Sequence, residues 1–138
     1  MVPAIRIRSL ADARLVLGVA RELGRRVTLT STPGAAGFGG PLWWAELIRA
    51  ACAEFADVAF DAVLDCADAP GDAMAALRCG VARLSFSGGA EVAAKLRQMA
   101  AASGAELLDA LPPSLDLEGL ADPRAACVVW LREERVHG

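Results

Sequence analysis

Phe60-Asp61-Ala62-Val63-Leu64-Asp65 decides how this chain folds. Successive side chains of a strand point to opposite sides, so Phe60, Ala62 and Leu64 share one face, and Asp61, Val63 and Asp65 share the other. The same parity recurs on both sides of this stretch. Ile5 and Ile7 alternate with Arg6 and Arg8, and Val27 and Leu29 with Thr28 and Thr30. Leu84 and Phe86 alternate with Arg83, Ser85 and Ser87. Strands covered on both faces in a doubly wound sheet read as unbroken apolar runs. These do not. They predict an apolar face packed under helices and a second face carrying Arg, Thr, Asp and Ser.

Between the strands lie helical patterns. Ser9 suits an N-cap with Asp12 as its capping-box partner. Leu10, Ala13, Val16, Leu17, Ala20 and Leu23 then form a helical stripe that stops at Gly24. A small-residue loop, Pro33 to Pro41, precedes a helix from about Leu42 to Phe55. Pro70 and Gly80 bracket a third helix, and Gly89 to Ser103 reads as a fourth, closed by Gly104. Ala105 to Asp109 is a short fifth strand. Pro112-Pro113 interrupts the regularity, and Asp122-Pro123 opens a last helix to about Arg135, although Cys127 to Leu131 also suits a strand.

Strands alternating with helices give a parallel sheet with right-handed crossovers. The expected fold is therefore α/β: about five consecutive βα units, partial (β/α) barrel-like, with helices on one face, and residues 1–138 forming one domain. A complete barrel takes about 250 residues, so this chain holds only part of one. The polar inner face then needs cover, from a second copy in a homodimer or from a lid formed by the C-terminal segment.

Composition excludes several function classes. With 55% hydrophobic and 22% charged residues the chain is not intrinsically disordered. A net charge of -3 with intermingled signs does not suit a nucleic-acid binder. No apolar run approaches the roughly 18 residues of a membrane span, and Met1 leads into Pro3 and a strand with no signal-peptide pattern. The expectation is a cytoplasmic protein with four reduced thiols, Cys52, Cys66, Cys79 and Cys127, none in a zinc-binding spacing. No cofactor is expected, because the glycine-rich loop has neither a P-loop ending nor a dinucleotide fingerprint.

Asp65 is the leading candidate for chemistry, since sites of parallel α/β folds gather at the C-terminal ends of strands. Its alternative reading is an inward charge paired with Arg6, Arg8 or Arg83. Cys66 follows it, by parity on the apolar side, where core packing competes with a catalytic or ligating role. Two stretches offer backbone N–H groups to a small anionic metabolite. One is the loop after Thr30 and Ser31, through Gly34; the other is Ser87-Gly88-Gly89 after Ser85. Of Trp43 and Trp44, neighbours on a helix, one is expected in the core and one exposed. His137 reads as a solvated terminal residue.

From strand two to strand five the order of features resembles the class II fructose-bisphosphate aldolases. In that family a strand ends in serine and enters a small-residue loop with an aromatic–glycine step, here Ser31 to Gly40 with Phe38-Gly39. A helix follows, then a strand ending in His-Leu-Asp-His-Gly, here Val63-Leu64-Asp65-Cys66-Ala67. An alanine-rich helix reaches a glycine, here Ala75 to Gly80, and the next strand ends near Asp-Gly-Ser, here Phe86-Ser87-Gly88-Gly89. The resemblance implies a proton-transfer role at Asp65 and places Cys66 at a metal position. The family's two further histidines have no counterparts, since His137 is the one histidine, and Cys66 with Asp68, Glu106 or Asp109 would be a poor substitute for the family's metal set. A catalytic zinc needs three protein ligands and an open position. The expectation is a catalytically degenerate, aldolase-like domain that binds a small molecule, with no metal set. The alternative is a non-enzymatic interaction, regulatory or structural module, receiver-like or STAS-like, acting through dimerisation.

Overall fold

The computed structural model describes residues 2–137, with side chains through residue 133. His137 therefore lies outside the described side chains. Among the described residues, six strands form one all-parallel sheet: β1 (Ala4–Arg6), β2 (Val27–Thr30), β3 (Phe60–Asp65), β4 (Arg83–Ser85), β5 (Glu106–Leu108) and β6 (Ser114–Asp116). Their order across the sheet is β5-β4-β3-β2-β1-β6. The helices are α1 (Leu10–Leu23), α2 (Pro41–Glu54), α3 (Pro70–Arg78), α4 (Ala90–Ala102) and α5 (Pro123–His137).

The helix ends follow from local chemistry. Ser9 Oγ accepts the Asp12 N–H at 3.1 Å, and the Asp12 carboxylate accepts the Arg8 N–H at 2.8 Å. The first bond satisfies a donor that the first helical turn leaves free, and the second ties the chain just ahead of the N-cap back to that turn. Gly24 closes α1 in the left-handed conformation. Asp122 Oδ1 accepts the Ala125 N–H at 3.0 Å and starts α5. Residues Cys127 to Leu131 are thus helical, and the strand alternative for them falls away.

Each step from β1 to β5 moves to the adjacent strand in the same direction, so right-handed crossovers place every connecting helix on one side of the sheet. α1 packs beside α2, α2 beside α3 and α3 beside α4, while α5 returns to pack beside α1. Under them lie Ile5, Leu29, Leu64 and Leu84, all fully buried, with Ile5 in register with Leu29 and Leu64 with Leu84. Burying each such side chain contributes about 1.5–3 kcal/mol. The parity of the strands is as the sequence implies. Arg6, Thr30 and Val63 form one row on the other face, and Asp65 and Ser85 another.

The sixth strand is absent from the sequence reading. β5 and β6 lie at opposite edges of the sheet but are joined only by residues 109–113. That link reaches at most about 22 Å when fully extended. Five interstrand gaps in a flat sheet already span about 24 Å, and the link must also return from the end of one strand to the start of the next. The sheet therefore curls, and the link passes across its inner, polar face. Leu111, Pro112 and Pro113 share a cleft there with Arg6, Asp65 and Ser87. The open face is covered by the chain itself.

β6 is fastened to β1 by charge. Arg8 grips the Asp116 carboxylate with both Nη atoms, at 2.6 and 3.1 Å, and Arg6 Nη1 lies 3.4 Å from it. The Arg8 hydrogen bonds hold Asp116 far below the ordinary carboxylate range, against the opposing effect of burial. A depressed carboxylate stabilises the fold above its unfolded value near 4, and that stabilisation fades as pH falls through the folded value. Over a third of the Asp116 side chain is exposed, so solvent screening limits the pair to about 1 kcal/mol or less. Asp116→Asn is expected to lower urea stability by about 0.5–1 kcal/mol at pH 7. The gap from the unaltered protein should narrow below about pH 4. A gap that stays constant from pH 7 to pH 3 would contradict this role.

Candidate ligand cleft

The site grows from the end of β3. Asp65 is the last residue of that strand and is 9% exposed. Its Oδ1 accepts the Ser85 hydroxyl at 2.7 Å from the neighbouring strand, where the two residues are in register. Its Oδ2 accepts the Gly34 N–H at 2.7 Å. The Asp65 N–H in turn donates to Ser31 Oγ at 2.9 Å, and that hydroxyl donates to the Thr32 carbonyl at 2.9 Å. Ser31, Gly34 and Ser85 were expected to face an anionic ligand. The Gly34 amide and the Ser85 hydroxyl bond the protein's own Asp65 carboxylate, and the Ser31 hydroxyl accepts the Asp65 backbone N–H. Gly34 does so with φ +69, in the left-handed region that favours glycine, so its amide direction depends on its having no side chain.

Asp65 has no ion-pair partner among the described residues. The arginines proposed for it are engaged elsewhere: Arg6 and Arg8 with Asp116, and Arg83 with Asp61 at 3.4 Å. The salt-bridge reading of Asp65 is corrected accordingly. Register explains the outcome, because β6 slots in beside β1 and brings Asp116 opposite Arg6.

Cys66 points the other way, into the core, and is 1% exposed. Burial pushes its thiol up to about 12, and the nearby charges of Asp65 and Asp72 add to the effect. At neutral pH it is a protonated core side chain rather than a nucleophile. Cys127 is buried as well, with its thiol raised to about 11, chiefly by burial. Cys52 is exposed. In the native state a thiol reagent is therefore expected to modify Cys52 first and to leave Cys66 and Cys127 untouched until the chain is unfolded. Mass mapping of labelled peptides checks this, and rapid native labelling of Cys66 would contradict the packing described.

Of the remaining predicted residues, only Ser87 lines the cleft. Thr30 is fully buried on the inner face beside Arg6. Ser87 is exposed at the cleft, and its N–H donates to the Ala67 carbonyl at 2.8 Å, tying together the loops after β3 and β4. Ala67 adopts φ +50 at that junction, a conformation rare for a residue with a side chain. Gly88 packs so closely on Phe86 that an added Cβ would lie 2.4 Å from the ring. Gly89 caps α4 through backbone position alone. These two glycines thus serve the loop's shape.

The cleft itself has a volume of about 330 Å³. Its polar walls are Arg6, Asp65, Ser87 and Ser114, and the link between β5 and β6 supplies an apolar wall. Arg6 entered the sequence reading of the site only as a partner for Asp65, and Ser114 not at all. Arg6 carried the signal, an inward parity, whereas Ser114 sits on a strand too short to leave one. A depression of about 310 Å³ lies between α2 and α3, near Cys52 and Cys79, at the opposite end of β3 and β4. Among the described residues no three metal-ligating side chains converge, and no helix is long and apolar enough to cross a membrane.

No protein-family model matches the chain, and no curated protein matches it.

Proposed function

We propose that this chain is a small-molecule-binding α/β domain, an aldolase-like partial barrel without the aldolase metal chemistry, and that its ligand occupies the cleft at Asp65. One observation carries the reading. A nearly buried carboxylate is fixed by two neutral donors, lacks a cation partner among the described residues, and lines a cleft at the C-terminal ends of parallel strands. A residue serving packing alone would be costly in this form, because a buried charge is ordinarily paired. Cytoplasmic residence with reduced cysteines belongs to the same reading.

The test is an amide-resolved NMR screen of the full chain against small polar metabolites and fragments. The expected result is that at least one compound class shifts the Gly34 and Asp65 amides without moving those around Cys52 and Cys79. Shifts confined to the α2–α3 depression, or no shifts at all, would overturn the reading.

A second reading, an interaction module acting as a homodimer, is favoured by a different feature. Phe38 is 83% exposed beside exposed Leu42 and partly exposed Trp43, at the start of α2. Contiguous exposed apolar groups of this kind mark contact surfaces. The proposed occupant is a second copy of the chain, because covering these side chains twice by symmetry buries both patches at once. Sedimentation should show a dimer that Phe38→Asp dissociates, and a monomer at all concentrations would remove this reading.

A further inference from the structure

Arg6 Nε, Thr30 Oγ1 and Ser114 Oγ are buried and lack hydrogen-bond partners among the described residues. All three residues belong to the inner face. Arg6 is in register with Thr30 on β2, and Ser114 begins β6 on the other side of β1. Buried polar groups in folded proteins are bonded to protein, water or ligand. Arg6 and Ser114 line the cleft, so their two unpartnered groups mark a place there for an acceptor. Arg6 is also the freer of the two inner-face guanidiniums on this edge. Its contact with Asp116 is 3.4 Å, while Arg8 holds the same carboxylate at 2.6 Å.

The opposite wall of the cleft has the complementary character. Asp65 is negative, and its bonds to Gly34 and Ser85 bring no positive charge. Arg6 and Asp65 line the same cleft with β2 between their strands and Asp65 two residues beyond the Arg6 row, so in a flat sheet their backbones would stand about 12 Å apart. No ion pair joins them. A molecule with both charges bridges that gap and leaves neither protein group unpaired. A polyanion such as a sugar phosphate meets Asp65 and Asp116 on either side of Arg6, which disfavours it.

Resting on the reading of this cleft as the ligand site, we infer that it takes a small zwitterionic α-amino acid. The carboxylate lies against Arg6 and the Ser114 hydroxyl, and the ammonium lies against Asp65. The volume of about 330 Å³ is near the lower end for ligand cavities and suits a short side chain set against Leu111, Pro112 and Pro113.

The experiment titrates the full chain, followed by amide NMR, with glycine, L-alanine and L-serine. Propionate and isopropylamine serve as the anion-only and cation-only halves at matched ionic strength. The amino acids are expected to shift the amides of Gly34, Asp65 and Ser114, and each half-molecule should bind at least tenfold more weakly than L-alanine. Arg6→Met and Asp65→Asn should each weaken L-alanine at least tenfold. Arg6→Lys, which keeps the charge and loses the guanidinium fork, should fall between, so an unfolded Met variant leaves the test intact. Isopropylamine binding as tightly as L-alanine, or propionate doing so, would overturn the inference. So would an absence of amino-acid shifts up to about 50 mM, well beyond fragment-scale affinity. If other polar compounds still shift Gly34, the amino-acid assignment alone fails; if none does, the cleft reading fails with it.

Discussion

Replacing Trp44 with alanine is expected to remove about 3–5 kcal/mol of stability, the usual cost of emptying a large buried aromatic site. Trp44 sits in the first turn of α2 at 1% exposure. Its neighbour Trp43 is 37% exposed, with the two ring centroids 6.0 Å apart and tilted by 54°. Trp43→Ala should therefore cost only about 1 kcal/mol, mostly the lost ring–ring contact. The contrast matters because domains are stable by only about 5–15 kcal/mol in total. Urea denaturation of the two variants checks it. Equal losses would mean that α2 is rotated relative to the core.

Asp65→Asn is expected to separate binding from stability. The asparagine carbonyl still accepts the Gly34 N–H, and the Ser85 hydroxyl turns to accept from the new amide. No buried group loses its partner, and a buried charge disappears. Stability should therefore stay within about 1 kcal/mol of the original or rise slightly. Affinity for whatever cationic group the cleft holds should fall by about tenfold or more, since a charge-assisted hydrogen bond is lost. Thermal denaturation and a ligand titration on the same sample give both numbers. A strongly destabilised variant would instead assign Asp65 to holding the loops together.

Much of the architecture was legible because two-residue parity is a local property. Ile5 against Arg6 and Leu64 against Asp65 place the helices on one side without any knowledge of strand order. Asp65 could be located for the same reason, as the last residue of a well-marked strand. What escaped was non-local. Ser114-Leu115-Asp116 is too short to show a pattern and follows two prolines, so its pairing with β1 could not be read. That pairing decides where Arg6 and Arg8 find their counter-charge, and hence why Asp65 has none. The glycine-rich loop could be read either as a connector or as a source of N–H groups for an anion. Only the fold reveals that the Gly34 amide serves a side chain 31 residues further along.

The central claim is that Arg6 and Asp65 are two ends of one ligand site. A high-resolution crystal structure of the protein soaked with L-alanine tests it most directly. The account predicts the amino acid lying between them, with its carboxylate within hydrogen-bond reach of Arg6 Nε and its ammonium on the Asp65 carboxylate. Water alone in the cleft, or a direct Arg6–Asp65 ion pair closing it, would contradict the account.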